Sequence, residues 1–158
     1  VSAVDLVKGL GRAAGMAVLD VPGATGLLDT NYEGKVAAAL EFLKDGDFVF
    51  VHVEAPDECG HGGDAAAKTE AVARFDARIV APMLGALGES ASVLIACDHP
   101  TPIAVRTHTT DPVPFLFWKA GIAANGAAAF SEREAAKTGL LIEPGHTLLA
   151  QTAAWARG

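Results

Sequence analysis

Apolar positions along the chain follow two patterns, one recurring at helical spacing and one running unbroken over short stretches. Val4, Leu6, Val7 and Leu10 predict a helix over 2–14, with Ser2 as its N-cap and Gly15 as its stop. Val36, Ala39, Leu40 and Leu43 predict a second over 33–44, broken by Asp45-Gly46. Asp64 can cap a long helix carrying Val72, Phe75 and Ile79, which Pro82 should kink or restart. A closing helix over 146–156 places Leu148, Leu149 and Trp155 on its apolar side. The unbroken apolar runs at 16–21, 47–53, 92–96 and 114–118 predict strands. Runs of this kind suit strands covered on both faces, as in parallel sheets. Residues 54–64, rich in Gly and Pro, are expected to be a loop. Strands alternating with helices define an α/β layer fold with a mainly parallel sheet. Ligands of such sheets bind beyond the carboxyl ends of the strands.

Composition narrows the functional classes. A chain of 158 residues fits one domain with a real core, and 51% hydrophobic with 20% charged residues is a globular balance. Net charge is −7 and no Lys/Arg cluster exists, which argues against a nucleic-acid groove. No apolar run is long enough to span a membrane. Cys59 and Cys97 are too few for a disulfide framework, so a reducing cytoplasm and small buried thiols are the expectation. The start at Val1 shows no secretory pattern and reads as a cut into an existing fold.

Three clusters remain, each beside glycine or proline. Ala55-Pro56-Asp57-Glu58-Cys59-Gly60-His61 follows the strand at 47–53, and Cys97-Asp98-His99-Pro100-Thr101-Pro102 follows the strand at 92–96. His108 stands in Arg106-Thr107-His108-Thr109-Thr110. Carboxylates and imidazoles on short, stiff segments are what a divalent metal needs, and topology places two clusters where ligands bind. Asp57, His61 and His108 form one candidate ligand set, and Asp98 with His99 a second. Two ions would clamp attacking and leaving oxygens in phosphoryl transfer, and would supply the positive charge that an acidic chain lacks for an anionic substrate. Taken singly, each cluster also reads as an ordinary turn. Asp111 is either a turn residue or a group orienting a ligand imidazole. His52 reads as a hydrogen-bonded core residue, His146 as a surface group, and Asp76 with Arg78 as a solvated helix face.

The residues from Val51 to His61, then Asp98-His99-Pro100-Thr101-Pro102, then His108-Thr109-Thr110-Asp111-Pro112 resemble the archaeal-type cofactor-independent phosphoglycerate mutases of the alkaline phosphatase superfamily. Asp20-Val21-Pro22-Gly23-Ala24-Thr25-Gly26 and Asp29-Thr30-Asn31-Tyr32 are similar to that family too, so the likeness spans essentially the whole chain. It implies an alkaline-phosphatase-like three-layer sandwich. It also implies one manganese or zinc ion on Asp57, His61 and His108, and another on Asp98 and His99. The implied reaction interconverts 3-phosphoglycerate and 2-phosphoglycerate through a phosphoserine intermediate. Lys35 lies where a substrate-facing lysine is expected, a helix-surface lysine being the alternative. No serine here (Ser2, Ser90, Ser92, Ser131) has the setting of the nucleophile, and nothing resembles the family's N-terminal metal aspartate or its substrate-clamping insert. Residues 1–158 are therefore expected to be the C-terminal part of the core domain of a longer cytoplasmic enzyme, partnered by its own N-terminal part, inactive alone and weak in metal binding. A phosphatase or homoserine-kinase-labelled relative, or a non-catalytic metal-binding domain, are the alternatives.

Overall fold

Asn31 starts the helix on which the core is built. Its side-chain oxygen accepts the Gly34 amide at 2.8 Å while its amide nitrogen donates to the Pro22 carbonyl at 2.8 Å. The cap thus fixes both the helix start and the loop leading into it. The computed structural model describes residues 1–157. It contains α1 (Asp5–Ala13), α2 (Tyr32–Phe42), α3 (Ala55–Gly62), α4 (Ala65–Phe75), α5 (Ala81–Leu87), β1 (Ser92–Ala96), β2 (Phe115–Lys119), α6 (Glu132–Lys137) and α7 (Leu148–Arg157). The chain forms two compact units, one of residues 1–86 with 101–108, the other of residues 87–100 with 109 onward.

In the first unit Tyr32, Val36 and Ile79 are buried, with Leu40, Val51, Val53, Phe75 and Met83 packed against them. Val51 and Val53 point one way along the 47–53 segment, the period of two expected of a strand. The Val1 amine donates to the Phe50 carbonyl at 2.6 Å, and the His52 amide donates to the Val1 carbonyl at 2.9 Å. Those are the two bonds by which one residue pairs with a parallel strand centred on Val51. Between α4 and α5 the helix widens into a π-helical turn, Asp76–Val80, immediately before Pro82. Proline has no amide to close the regular helical bond, so the expected interruption is a local change of pitch.

Several expectations are corrected. Residues 54–64 are not a loop, because most of them form α3: Pro56 sits in its first turn and Gly63, at φ +70°, ends it in the left-handed region. Ser2 does not cap α1. Val4 holds that position, and the Ser2 hydroxyl accepts the Val4 amide and bonds His52 Nδ1 at 3.2 Å. The apolar side of α1 is not covered, with Leu6 72% and Leu10 62% exposed. Nor is the strand at 47–53 covered on both faces, since Phe48 and Phe50 are 47% and 49% exposed. Arg78 is not merely solvated. It grips the Glu33 carboxylate with two bonds, at 2.6 and 2.7 Å, and lies 4.5 Å from the centre of the Tyr32 ring.

The second unit holds the one sheet ladder among the described residues. β1 and β2 pair antiparallel, Ser92 opposite Lys119 and Ala96 opposite Phe115. The α/β character stands, while a mainly parallel sheet does not form among these residues, the segments at 16–21 and 47–53 having no described strand ladder. Phe115 and Phe117 hold the Trp155 ring of α7 at centroid distances of 6.5 and 5.5 Å, and Lys119 Nζ donates to the Ala156 carbonyl. Cys97 is exposed and Cys59 partly so, against the expectation of buried thiols.

Candidate metal centre

Helix α3 turns a sequence spacing of four into a shared face. Asp57 and His61 lie one turn apart on it, so their side chains project together. His108 comes from the segment 101–108 of the same unit. Asp57 Oδ2 is 3.3 Å from His61 Nε2, Asp57 Oδ1 is 3.6 Å from His108 Nε2, and the two Nε2 atoms are 3.1 Å apart. Around a tetrahedral ion with bonds of ~2.0–2.1 Å, ligand atoms lie ~3.3–3.4 Å from one another. The three edges are close to that spacing, the carboxylate using Oδ2 toward His61 and Oδ1 toward His108. The set combines one carboxylate with two imidazoles, a donor set that suits zinc or manganese.

The tautomer of His61 follows from its other partner. His61 Nδ1 lies 3.0 Å from the Arg106 carbonyl oxygen, which can only accept, so the hydrogen sits on Nδ1. In the neutral ring Nε2 then carries its lone pair toward Asp57 and His108, as a metal ligand must. Thr101, buried at 3% exposure, donates its hydroxyl to Asp57 Oδ1. Glu54 and Glu58 bring further carboxylate oxygens within 4.8 Å of Asp57, a crowding of negative charge that a cation would relieve.

In the second unit Asp98 and His99 follow β1. Asp98 Oδ1 accepts the His99 amide at 3.1 Å, and Asp98 Oδ2 is 3.4 Å from His99 Nε2. Asp98 is exposed and His99 partly buried. Asp111 accepts the Thr109 hydroxyl at 2.8 Å, the contact of a turn residue.

Lys35 is fully buried, which sets aside the surface alternative. Its Nζ donates to the His52 carbonyl at 2.9 Å. Burial pulls the ammonium pKa below the ordinary lysine range, and Glu54 opposes that shift. Burial likewise raises the Cys59 thiol. Reasoning from the sequence assigned no role to Thr101 or to the Arg106 carbonyl. The signal for Thr101 was its place between Pro100 and Pro102, which stiffens it, while a backbone carbonyl leaves no mark in side-chain chemistry.

Fold and ligand geometry together describe an α/β protein with a candidate carboxylate–imidazole metal site. The chain belongs to the Metalloenzyme superfamily, whose family model matches residues 1–152. It is 51% identical over 152 residues to the 2,3-bisphosphoglycerate-independent phosphoglycerate mutase of Methanothrix thermoacetophila, covering 94% of this chain and 39% of that protein. It is 49% identical to the probable enzyme of the same name from Geobacter sulfurreducens, covering 94% of this chain and 38% of the other. The structure of the PH0037 protein from Pyrococcus horikoshii superposes with a TM-score of 0.93 at 39% identity, over 99% of this chain and 48% of that one. The chain thus spans less than half the length of these relatives. Divalent-metal binding accords with the family and with the ligand sets present. Among the described residues no helix is long and apolar enough to cross a membrane.

Proposed function

We propose that this chain is the metal-binding part of a cytoplasmic phosphoglycerate mutase that interconverts 3-phosphoglycerate and 2-phosphoglycerate through a phosphoserine intermediate. The observation that carries the reading is the triangle of Asp57, His61 and His108, whose edges are close to metal-ligand spacing, in a chain half identical to proteins named for that activity. Those three residues hold one ion and Asp98 with His99 a second, each manganese or zinc. When bound, the ions neutralise phosphate charge and lower the pKa of the attacking hydroxyl.

The chain's own residues have narrower tasks. His61 keeps its hydrogen on Nδ1 and offers Nε2, and Asp57 offers a carboxylate oxygen. Lys35 is buried, and its Nζ donates to the His52 carbonyl, which ties α2 to the segment 47–53. The attacking serine comes from the part of the longer protein that this chain does not span. Consistent with this, Ser2 bonds His52, Ser90 donates to the Leu87 carbonyl and Ser131 caps α6. The finer architecture, a three-layer sandwich with a mainly parallel sheet, belongs to that longer protein as well.

The test is turnover by a protein of the relatives' length, with His61→Ala and Asp98→Ala beside it. Mutase activity lost in both variants is expected, since catalysis needs both ions. Wild-type rates in either variant would refute the ligand assignment, and phosphate release without isomerisation would move the reading to a phosphatase.

A further inference from the structure

Asp57 and Gly60 lie three residues apart on α3, on the same side of the helix. A Cβ at Gly60 would stand 2.5 Å from the Thr101 carbonyl oxygen, 2.9 Å from Thr101 Cγ2 and 3.0 Å from Lys68 Nζ. Only glycine lets the Thr101 backbone approach the helix this closely. Lys68, on α4, donates to the Thr101 carbonyl at 2.6 Å and anchors it. Pro100 and Pro102 flank Thr101 and restrict its backbone. The result is a buried hydroxyl aimed at Asp57 Oδ1, leaving Oδ2 facing His61 Nε2.

The same segment serves the second helix ligand. The Pro102 carbonyl accepts the Val105 and Arg106 amides at 3.0 and 2.8 Å, forming a tight turn. Arg106 adopts φ +58°, which few non-glycine residues do, and its carbonyl receives His61 Nδ1–H. Two residues later His108 supplies the third ligand.

We propose that residues 101–108 act as an orienting template for the metal centre, in which the Thr101 hydroxyl is the positioning group for Asp57. By bonding Oδ1, Thr101 fixes the rotation of the Asp57 carboxylate, with Oδ2 3.3 Å from His61 Nε2 and Oδ1 3.6 Å from His108 Nε2. Gly60 and Lys68 exist to hold that hydroxyl in place. The inference rests on the reading of Asp57, His61 and His108 as a metal site, and deepens it.

Titration calorimetry with Mn2+ and Zn2+ on a protein of the relatives' length tests it, comparing wild type with Thr101→Val, Thr101→Ser and His61→Ala. Val keeps the shape and removes the hydroxyl, so affinity should fall 10–100-fold, the usual effect of losing a partner that orients a metal ligand. Ser restores the hydroxyl and should bind within a few-fold of wild type, a rescue that a purely structural role for the methyl would not produce. Val binding as tightly as wild type, with His61→Ala impaired, overturns the template alone. His61→Ala binding normally, or a wild-type protein taking up neither metal, overturns the metal-site reading and the template with it. Should Thr101→Val fail to fold, Thr101→Ala against Thr101→Ser decides: weak binding by a folded Ala variant beside near-native binding by Ser supports the hydroxyl, and equal binding by both overturns it.

Discussion

Glu33 illustrates how much one side chain owes to its partner. Its carboxyl is held at about 2, against an ordinary value of 4.5, first by the two hydrogen bonds from Arg78 and then by a bond to its own backbone. A carboxylate with a depressed pKa stabilises the folded state above its unfolded pKa, and that contribution is lost as pH falls through the folded one. The loss should therefore fall between about pH 4.5 and pH 2. Glu33→Gln is expected to flatten this part of the curve and to lower neutral-pH stability by the same amount, kept small because the pair is exposed, so that the two proteins converge near pH 2. Urea midpoints measured from pH 7 down to pH 2 check it. Parallel acid limbs for wild type and variant would mean that the pair contributes nothing. The cation–π contact of Arg78 with Tyr32 gives the arginine a second anchor, so Arg78→Lys should lose more than charge conservation suggests.

Helix α3 shows where reading the sequence succeeded and where it stopped. Asp57 and His61 were identifiable from chemistry and spacing, yet their segment was expected to be a loop because Gly60, Gly62 and Gly63 weaken helix propensity. Packing overrode propensity: Gly60 is needed small, against Thr101, while Gly63 ends the helix. The pairing of Asp57 with His108 depends on the turn at 102–106, which no periodicity reveals. Helices α2, α4 and α7 were readable from their apolar spacing, and α4 also from its cap, Asp64 accepting the Ala67 amide. Two glycines of α3 give opposite predictions. At Gly62 a Cβ meets nothing within 4 Å, so Gly62→Ala should stabilise by ~0.5–1 kcal/mol through reduced unfolded-state freedom. At Gly60 the same gain is outweighed by overlap with the Thr101 backbone, which costs about 1–3 kcal/mol and moves the Asp57 partner. Gly60→Ala is expected to lower both melting temperature and metal affinity. A Gly60→Ala protein as stable as Gly62→Ala would show that α3 and Thr101 are not in close contact.

For the chain taken whole, the apolar runs at 16–21 and 47–53 were readable as strand-like, but their sheet partners were not, because partners lie in other segments. Within the first unit, Val51 and Val53 face the core while Phe48 and Phe50 stand half exposed. An open apolar groove runs here, lined by Val7, Gly11, Met16, Phe42, Phe48 and Phe50. The longer protein proposed above would make 47–53 an inner strand and cover this face. The two settings assign Phe50→Lys different costs. In this chain the ring is already half hydrated, so the loss is about 1 kcal/mol of apolar burial. In a protein of the relatives' length the new ammonium would be taken out of water without a partner, a cost of several kcal/mol. Chemical denaturation of both lengths, wild type against Phe50→Lys, gives the comparison. The same small effect in both would place 47–53 at a solvent-facing edge in the longer protein and remove the case for an inner strand, leaving the metal-site geometry untouched.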